Sequence, residues 1–181
     1  MRKLNNLLLT KKFAKKYNKR YPQGLLMNHV RLVRKFALKL AEIEGADKEV
    51  VGLAALLHDI GKYKDNKNHH EISFKLSKDF LNKLELSKIK KDLILKCILK
   101  HRFKFASENN EIEVKIIQSA DALGTLFDDK IQKQHRKTRT KEDLLSKYDK
   151  TFKKINLSSA REIAKPQVEK LKNELRKEIP K

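Results

Sequence analysis

The sequence predicts an all-α protein, and three observations carry that expectation. Only five glycines and three prolines punctuate 181 residues, so turn signals are few and hairpins have little support. Apolar residues recur three and four apart, which places them on single faces of helices. A hydrophobic share of 39% suits a globular chain of this length, which is long enough to bury a real core. No internal repeat or low-complexity linker divides the sequence, so a single domain over residues 1–181 is expected.

The elements follow in order. Residues 1–20 carry Arg2, Lys3, Lys11, Lys12, Lys15, Lys16, Lys19 and Arg20 without one acid, and Leu9, Phe13 and Tyr17 lie four apart. That pattern predicts a short basic amphipathic helix, ended by Tyr21-Pro22-Gln23-Gly24. Asn28 reads as the N-cap of the next helix, whose Val33, Phe36 and Leu40 share a face until Glu44-Gly45 stops it. Asp47 opens a helix through Val51, Ala54 and Leu57. Further helices are expected near 69–83, 87–101 and 111–127. Beyond residue 128 charge of both signs dominates, with helices near 140–153 and 158–178 and Pro166 kinking or starting part of the last. The expected architecture is a bundle of about five core helices at 25–127. The basic helix 1–20 precedes it and a helical extension, 128–181, follows it.

A formal charge of +21 would draw in anions such as nucleotides, polyphosphates or RNA, although lysines that merely solvate helix surfaces account for it equally well. Cys97 is the lone cysteine, which excludes an intrachain disulfide and suits a reducing cytoplasm. No apolar run approaches the roughly 18–20 residues that cross a bilayer, and Leu7-Leu8-Leu9 is too short for a signal-peptide core. A cytoplasmic protein without a membrane partner is expected.

Several polar residues extend apolar stripes and should point inward. His29 lines up with Val33, Phe36 and Leu40; His58 with Val51 and Ala54; His101 with Ile94, Cys97 and Ile98; Asp121 with Val114 and Ile117. One buried histidine is ordinarily a core residue satisfied by a hydrogen bond. Four inward polar residues, all of metal-ligand type, are harder to explain that way. A buried carboxylate costs several kcal/mol or more unless paired or coordinated. Asp59 and Asp121 have no Lys or Arg at obvious facing positions, and a shared cation would neutralise both. Adjacent His58 and Asp59 point about 100° apart on a helix, so both serve one site best near a helix end. Gly61 is expected to supply that end in a left-handed conformation. Lys62 then leaves the helix with its ammonium free for a phosphate, or else as a solvated cation favoured by the helix dipole. His69 shares a face with Ile72, Leu76 and Phe80, whereas His70 shares one with Phe74 and Ser77 and is expected at the rim; His135 is expected on the surface.

The order His29, His58-Asp59, His69, His101, Asp121, with LLHDIGK at 56–62, resembles the HD superfamily of metal-dependent phosphohydrolases across roughly residues 25–127. The resemblance implies an HD-type helical fold with His29, His58, Asp59 and Asp121 as the core metal ligands. It implies His69 and His101 as additional ligands of a possible second metal, with Asp59 bridging. HHEIS at 69–73 is similar to the family's His-x-x-x-Gly segment, with Ser73 in place of glycine. KIIQSADALG at 115–124 resembles the Asp-bearing segment of small bacterial and archaeal members, where a mononuclear site is common. Asp59 and Lys62 are then the catalytic candidates, and Lys62, His70, Arg102 and Lys104 the candidates for binding substrate phosphate. Mixed His and carboxylate donors suit Mn, Fe, Co, Ni or Zn, one or two ions, and a single cysteine excludes a Cys-rich zinc site. The expected reaction is attack of a metal-activated water on a nucleotide or other phosphate ester, with dinucleoside tetraphosphates next in line if two metals bind. The alternative is a basic RNA-binding or processing protein on an HD fold, using the N-terminal cations and residues 130–141 along a phosphate backbone. Aromatic residues interleave only sparsely with those charges, which weakens base stacking.

Overall fold

The computed structural model describes residues 2–21 and 25–177, and every regular element among them is helical, as expected. α1 spans Arg2–Asn18, α2 Leu25–Glu44, α3 Lys48–Leu57, α4 His69–Leu81 and α5 Lys88–Lys100. A short 3-10 turn at Phe103–Phe105 leads to α6, Ile112–Phe127. α7 (Asp129–Thr138), α8 (Lys141–Lys153) and α9 (Ser158–Lys177) follow.

α3 is the axis of the bundle. Every residue from Val50 to Leu57 is buried, because α1, α2, α5 and α6 all pack on it. A helix covered on all sides is apolar all round. Asp47 caps its N-terminus, accepting from the backbone N–H groups of Glu49 at 2.8 Å and Val50 at 3.2 Å, which contributes about 1 kcal/mol. α2 lies along α6 and buries Val33, Ala37 and Leu40 on the face that also carries His29. Each such side chain stabilises the fold by roughly 1.5–3 kcal/mol. Gly45 ends α2 at φ 69°, the left-handed conformation glycine adopts without strain.

Three local expectations are corrected. Asn28 is no N-cap: α2 is already helical at Leu25, and the Asn28 Oδ1 accepts from Arg31 Nη2 at 3.0 Å on the exposed helix surface. The expected break at 22–24 lies outside the described residues. Gly61 does not take a left-handed conformation; Gly45 is the positive-φ glycine among the described residues. Gly61 is needed instead for close approach, since a Cβ there would stand 2.6 Å from the His69 carbonyl oxygen and 2.8 Å from the Ser73 nitrogen. Its N–H donates to the Ser73 Oγ at 2.9 Å, so the turn after α3 is docked directly on the first turn of α4.

The third correction concerns 129–138, where a helix was not expected because few apolar residues mark it. Asp128 nucleates α7 by accepting from the N–H groups of Lys130 and Ile131. Gln132 then anchors it, donating to the Thr125 carbonyl at 2.6 Å and accepting from the Tyr148 hydroxyl at 2.9 Å. α9 runs through Pro166 and lays Ala160, Ala164, Val168, Leu171 and Leu175 inward, packing on α6 and α8. No helix among the described residues is long and apolar enough to cross a membrane.

Gly61→Ala should lower stability to urea by about 1–3 kcal/mol, the cost of overpacking against backbone that cannot step aside. It should also displace His69. Gly45→Ala should cost about 1–2 kcal/mol through its positive φ and leave His69 in place. Equal disturbance of the His69 ring by both variants, read by imidazole NMR shifts, would contradict this account.

Candidate metal centre

Five elements deliver polar side chains to one point. α2 brings His29, the C-terminal end of α3 brings His58, and the following turn brings Asp59; His69 is the first residue of α4, His101 caps α5, and α6 carries Asp121. Apart from Asp121, whose side chain is 31% exposed, all are buried.

Three of the imidazoles are held by the same device. The Nδ1–H groups of His58, His69 and His101 donate to the carbonyls three residues back, those of Ala55 at 2.8 Å, Asn66 at 2.8 Å and Ile98 at 2.7 Å. This fixes the tautomer and turns each Nε2 lone pair toward the centre. His29 is seated differently, over Gly124, where a Cβ would meet its ring at 3.3 Å and Val33 at 2.6 Å. Its Nε2 lies 3.0 Å from Asp121 Oδ1 and 3.5 Å from Asp59 Oδ2.

The Asp59 carboxylate divides the cluster in two. Its Oδ2 faces His29 and, at 3.3 Å, His58 Nε2. Its Oδ1 faces His69 Nε2 at 3.2 Å and His101 Nε2 at 3.7 Å. The ligand atoms of His29, His58, Asp59 and Asp121 therefore converge as one set, and those of Asp59, His69 and His101 as a second. His69 and His101 bring their Nε2 atoms to 2.9 Å, a separation at which two lone pairs repel unless a cation or proton lies between them. Asp59 Oδ1 and His58 Nε2 are buried without a hydrogen-bond partner, and such atoms carry a large desolvation cost. Unsatisfied nitrogen and oxygen donors converging in this way fit a divalent metal ion.

Lys62 is a correction to the expectation that Asp59 lacks a facing cation. The chain turns after α3, and Lys62 Nζ comes back to 2.5 Å from Asp59 Oδ2. Lys62 is thus engaged by Asp59 rather than free. The charges are strongly coupled. Burial alone would lower the His58 pKa, but the adjacent Asp59 carboxylate, helped by Asp121, raises it to about 10. Burial and the His58 charge push His101 down to about 3. Burial would raise Asp59 and Asp121; the facing histidines, with Lys62 at Asp59, hold both well below the usual carboxylate range.

Two cavities open from the cluster, one of about 160 Å³ between α5, α6 and α8 and one of about 320 Å³ bounded by α2, α7 and α8. Arg102 lines the first and donates to the Lys67 carbonyl at 2.5 Å. His70, expected at the rim, is instead buried, with its ring 5.5 Å from Phe105; burial and the nearby Lys104 and Arg102 charges lower its pKa. Lys104 is exposed and sits 4.7 Å from the Phe105 ring, and neither it nor His70 lines the two cavities. His135 is not a surface residue: it is half-buried in the wall of the larger cavity, where burial and Lys147 lower its pKa to about 4. Gln118, Phe103 and Lys147 were missed. Gln118 stands three residues before Asp121 in the same motif and donates to the Lys100 carbonyl at 2.7 Å, behind His101; no sequence signal marks Lys147.

The family model of the HD domain matches residues 26–126. This chain belongs to the HD-domain family. Among solved structures it is similar to Bacillus subtilis YpgQ, with a TM-score of 0.72 at 21% identity over 99% of this chain and 98% of that one. YpgQ in complex with ADP gives 0.68 at 23% identity, again over 99% and 98%. A predicted HD superfamily hydrolase from an uncultured Thermotogales bacterium gives 0.69 at 19% identity, over 96% and 89%. These likenesses show a common HD fold, extending through the C-terminal helices. No curated protein matches the chain.

With the His58 pKa raised to about 10, its proton is still bound at neutral pH and must leave before the ring can hold a metal. Mn²⁺ binding at neutral pH should therefore release about one proton, and apparent affinity should climb as pH rises toward 10. Calorimetry in buffers of different ionisation enthalpy reads this directly; binding with no proton release would refute the charge assignment.

Proposed function

We propose that this HD-domain protein is a metal-dependent phosphohydrolase acting on a nucleotide, with residues 25–127 as the catalytic core of one 181-residue domain. The observation that carries the reading is the shared carboxylate: Asp59 presents one oxygen to the His29/His58 side and the other to the His69/His101 side. His29, His58, Asp59 and Asp121 would hold one ion, and His69 and His101, with Asp59 between, a second. Imidazole and carboxylate donors suit Mn, Fe, Co, Ni or Zn. Such an ion, when bound, supplies a nucleophilic water near neutral pH and draws charge from a phosphoryl oxygen.

The protein's own groups do the positioning. Asp121, the least buried of the candidate ligands, lines the smaller cavity, so an ion it helped to hold would be reachable by substrate there. Lys62 at the floor and Arg102 at the wall donate to phosphoryl oxygens, offsetting the negative charge that grows there during attack. His70 packs against Phe105 and steadies the turn that carries Arg102, so phosphate contact falls to Lys62 and Arg102 rather than to His70 or Lys104. The ADP complex of YpgQ, a protein of the same fold, favours a nucleotide over a simple phosphate ester.

Protein purified without chelator should retain about one or two metal ions per chain and release phosphate from nucleotides. Asp59→Ala, which removes the carboxylate common to both sets, should lose the bound metal by elemental analysis. Its kcat/KM should fall by at least about 10³-fold, beyond the effect of a single electrostatic contact. Undiminished turnover by Asp59→Ala would end the proposal.

A further inference from the structure

The C-terminal helices contribute a cation that the metal cluster does not use. Lys147 on α8 lines both cavities, together with Lys62 and Thr125, and so stands where the two meet. It is half-buried and, among the described residues, has no ion-pair or hydrogen-bond partner. Its charged neighbours are Arg139, which caps the C-terminus of α7, and Lys154, just past the end of α8, while Asp121 is the acid that opposes them. Burial and these two like charges hold the Lys147 ammonium below the ordinary lysine pKa. Asp121 is itself engaged by His29 at 3.0 Å, and Lys62 is engaged by Asp59. Beside Lys147 in the larger cavity, the His135 Nδ1 is buried with no hydrogen-bond partner. A half-buried ammonium flanked by cations is costly until an anion meets it.

A phosphomonoester over the metal cluster would reach Lys62 and Arg102 and leave Lys147 unmatched. A second phosphoryl group, continuing from the first toward α8, would meet it. Resting on the phosphohydrolase reading above, we propose that Lys147 is a specificity-determining residue: it receives the second phosphoryl group of a nucleoside di- or polyphosphate whose first lies at the His/Asp cluster. The substrate class is then a nucleotide with a phosphoanhydride, selected by the helices that follow the matched segment 26–126.

The test compares AMP with α,β-methylene-ADP, which differs by one phosphoryl group and resists cleavage between the two. Both are titrated by calorimetry into the full chain saturated with Mn²⁺. The parent should bind the methylene analogue at least about tenfold more tightly than AMP, as one charge-assisted hydrogen bond predicts. Lys147→Gln should bring that preference to within about twofold, and Lys147→Arg should keep most of it. Lys147→Met preserves the packing of the stem and replaces the Gln variant if thermal melting shows the latter to be misfolded. A parent without preference, a Gln or Met variant that keeps it, or parallel loss of both ligands would each overturn the assignment. ADP hydrolysis by the parent is measured separately. Selective binding without any hydrolysis sinks the phosphohydrolase reading and leaves Lys147 in place. Hydrolysis with no dependence of selectivity on Lys147 sinks the subsite alone.

Discussion

The Asp59 carboxylate is the constraint on which this structure turns. It is fully buried at the meeting point of α2, α3, α4, α5 and α6, where an isolated negative charge would be prohibitively expensive. Lys62 offsets part of that cost from three residues along the chain, and imidazoles from four elements surround both oxygens. Other features of the bundle follow from keeping those groups in place. Gly61 lets the turn after α3 lie against α4, Gly124 leaves room for the His29 ring, and three imidazoles are aimed by carbonyls three residues back along the chain.

This organisation separates what is rigid from what is open. The cluster residues on α2, α3 and α5 sit in a core dominated by Leu, Ile, Val and Ala, which resists displacement. Asp121 alone of the cluster reaches partly into solvent, and it lines the smaller cavity between α5, α6 and α8. The metal-type donors thus lie in the buried half of the site, and the cavity walls are completed by α7 and α8. The net charge of +21 acquires a local meaning there, because Lys62, Arg102, Lys147 and Arg139 border the openings. Among the described residues, no feature favours a nucleic-acid track over a small anionic ligand.

Much of the fold was legible in the sequence where apolar stripes were long. α3, α5 and α6 appear within about a residue or two of their expected limits. The inward positions of His29, His58 and His101 followed from helical spacing alone, since each extends a face that the core covers. His69 is buried together with Ser73 and Ser77, whereas the Ile72, Leu76 and Phe80 face is only partly covered. α7 was not legible, because Gln132 and Asp128 hold it by polar contacts rather than by an apolar face. The exposure of His135 and His70 was misjudged for a related reason: their cover comes from distant segments, and local polarity does not report it.

By itself the sequence determined the helical class, the inward faces and the set of metal-type donors, because periodicity and residue chemistry are local properties. Only the tertiary structure decided that Lys62 turns back onto Asp59 and that Gly61 serves close packing rather than a left-handed turn. It also decided that Lys147 reaches the site at all. Those outcomes depend on distances between residues far apart in the chain, or on the direction of a turn, and neither is encoded in the spacing of side chains along one helix.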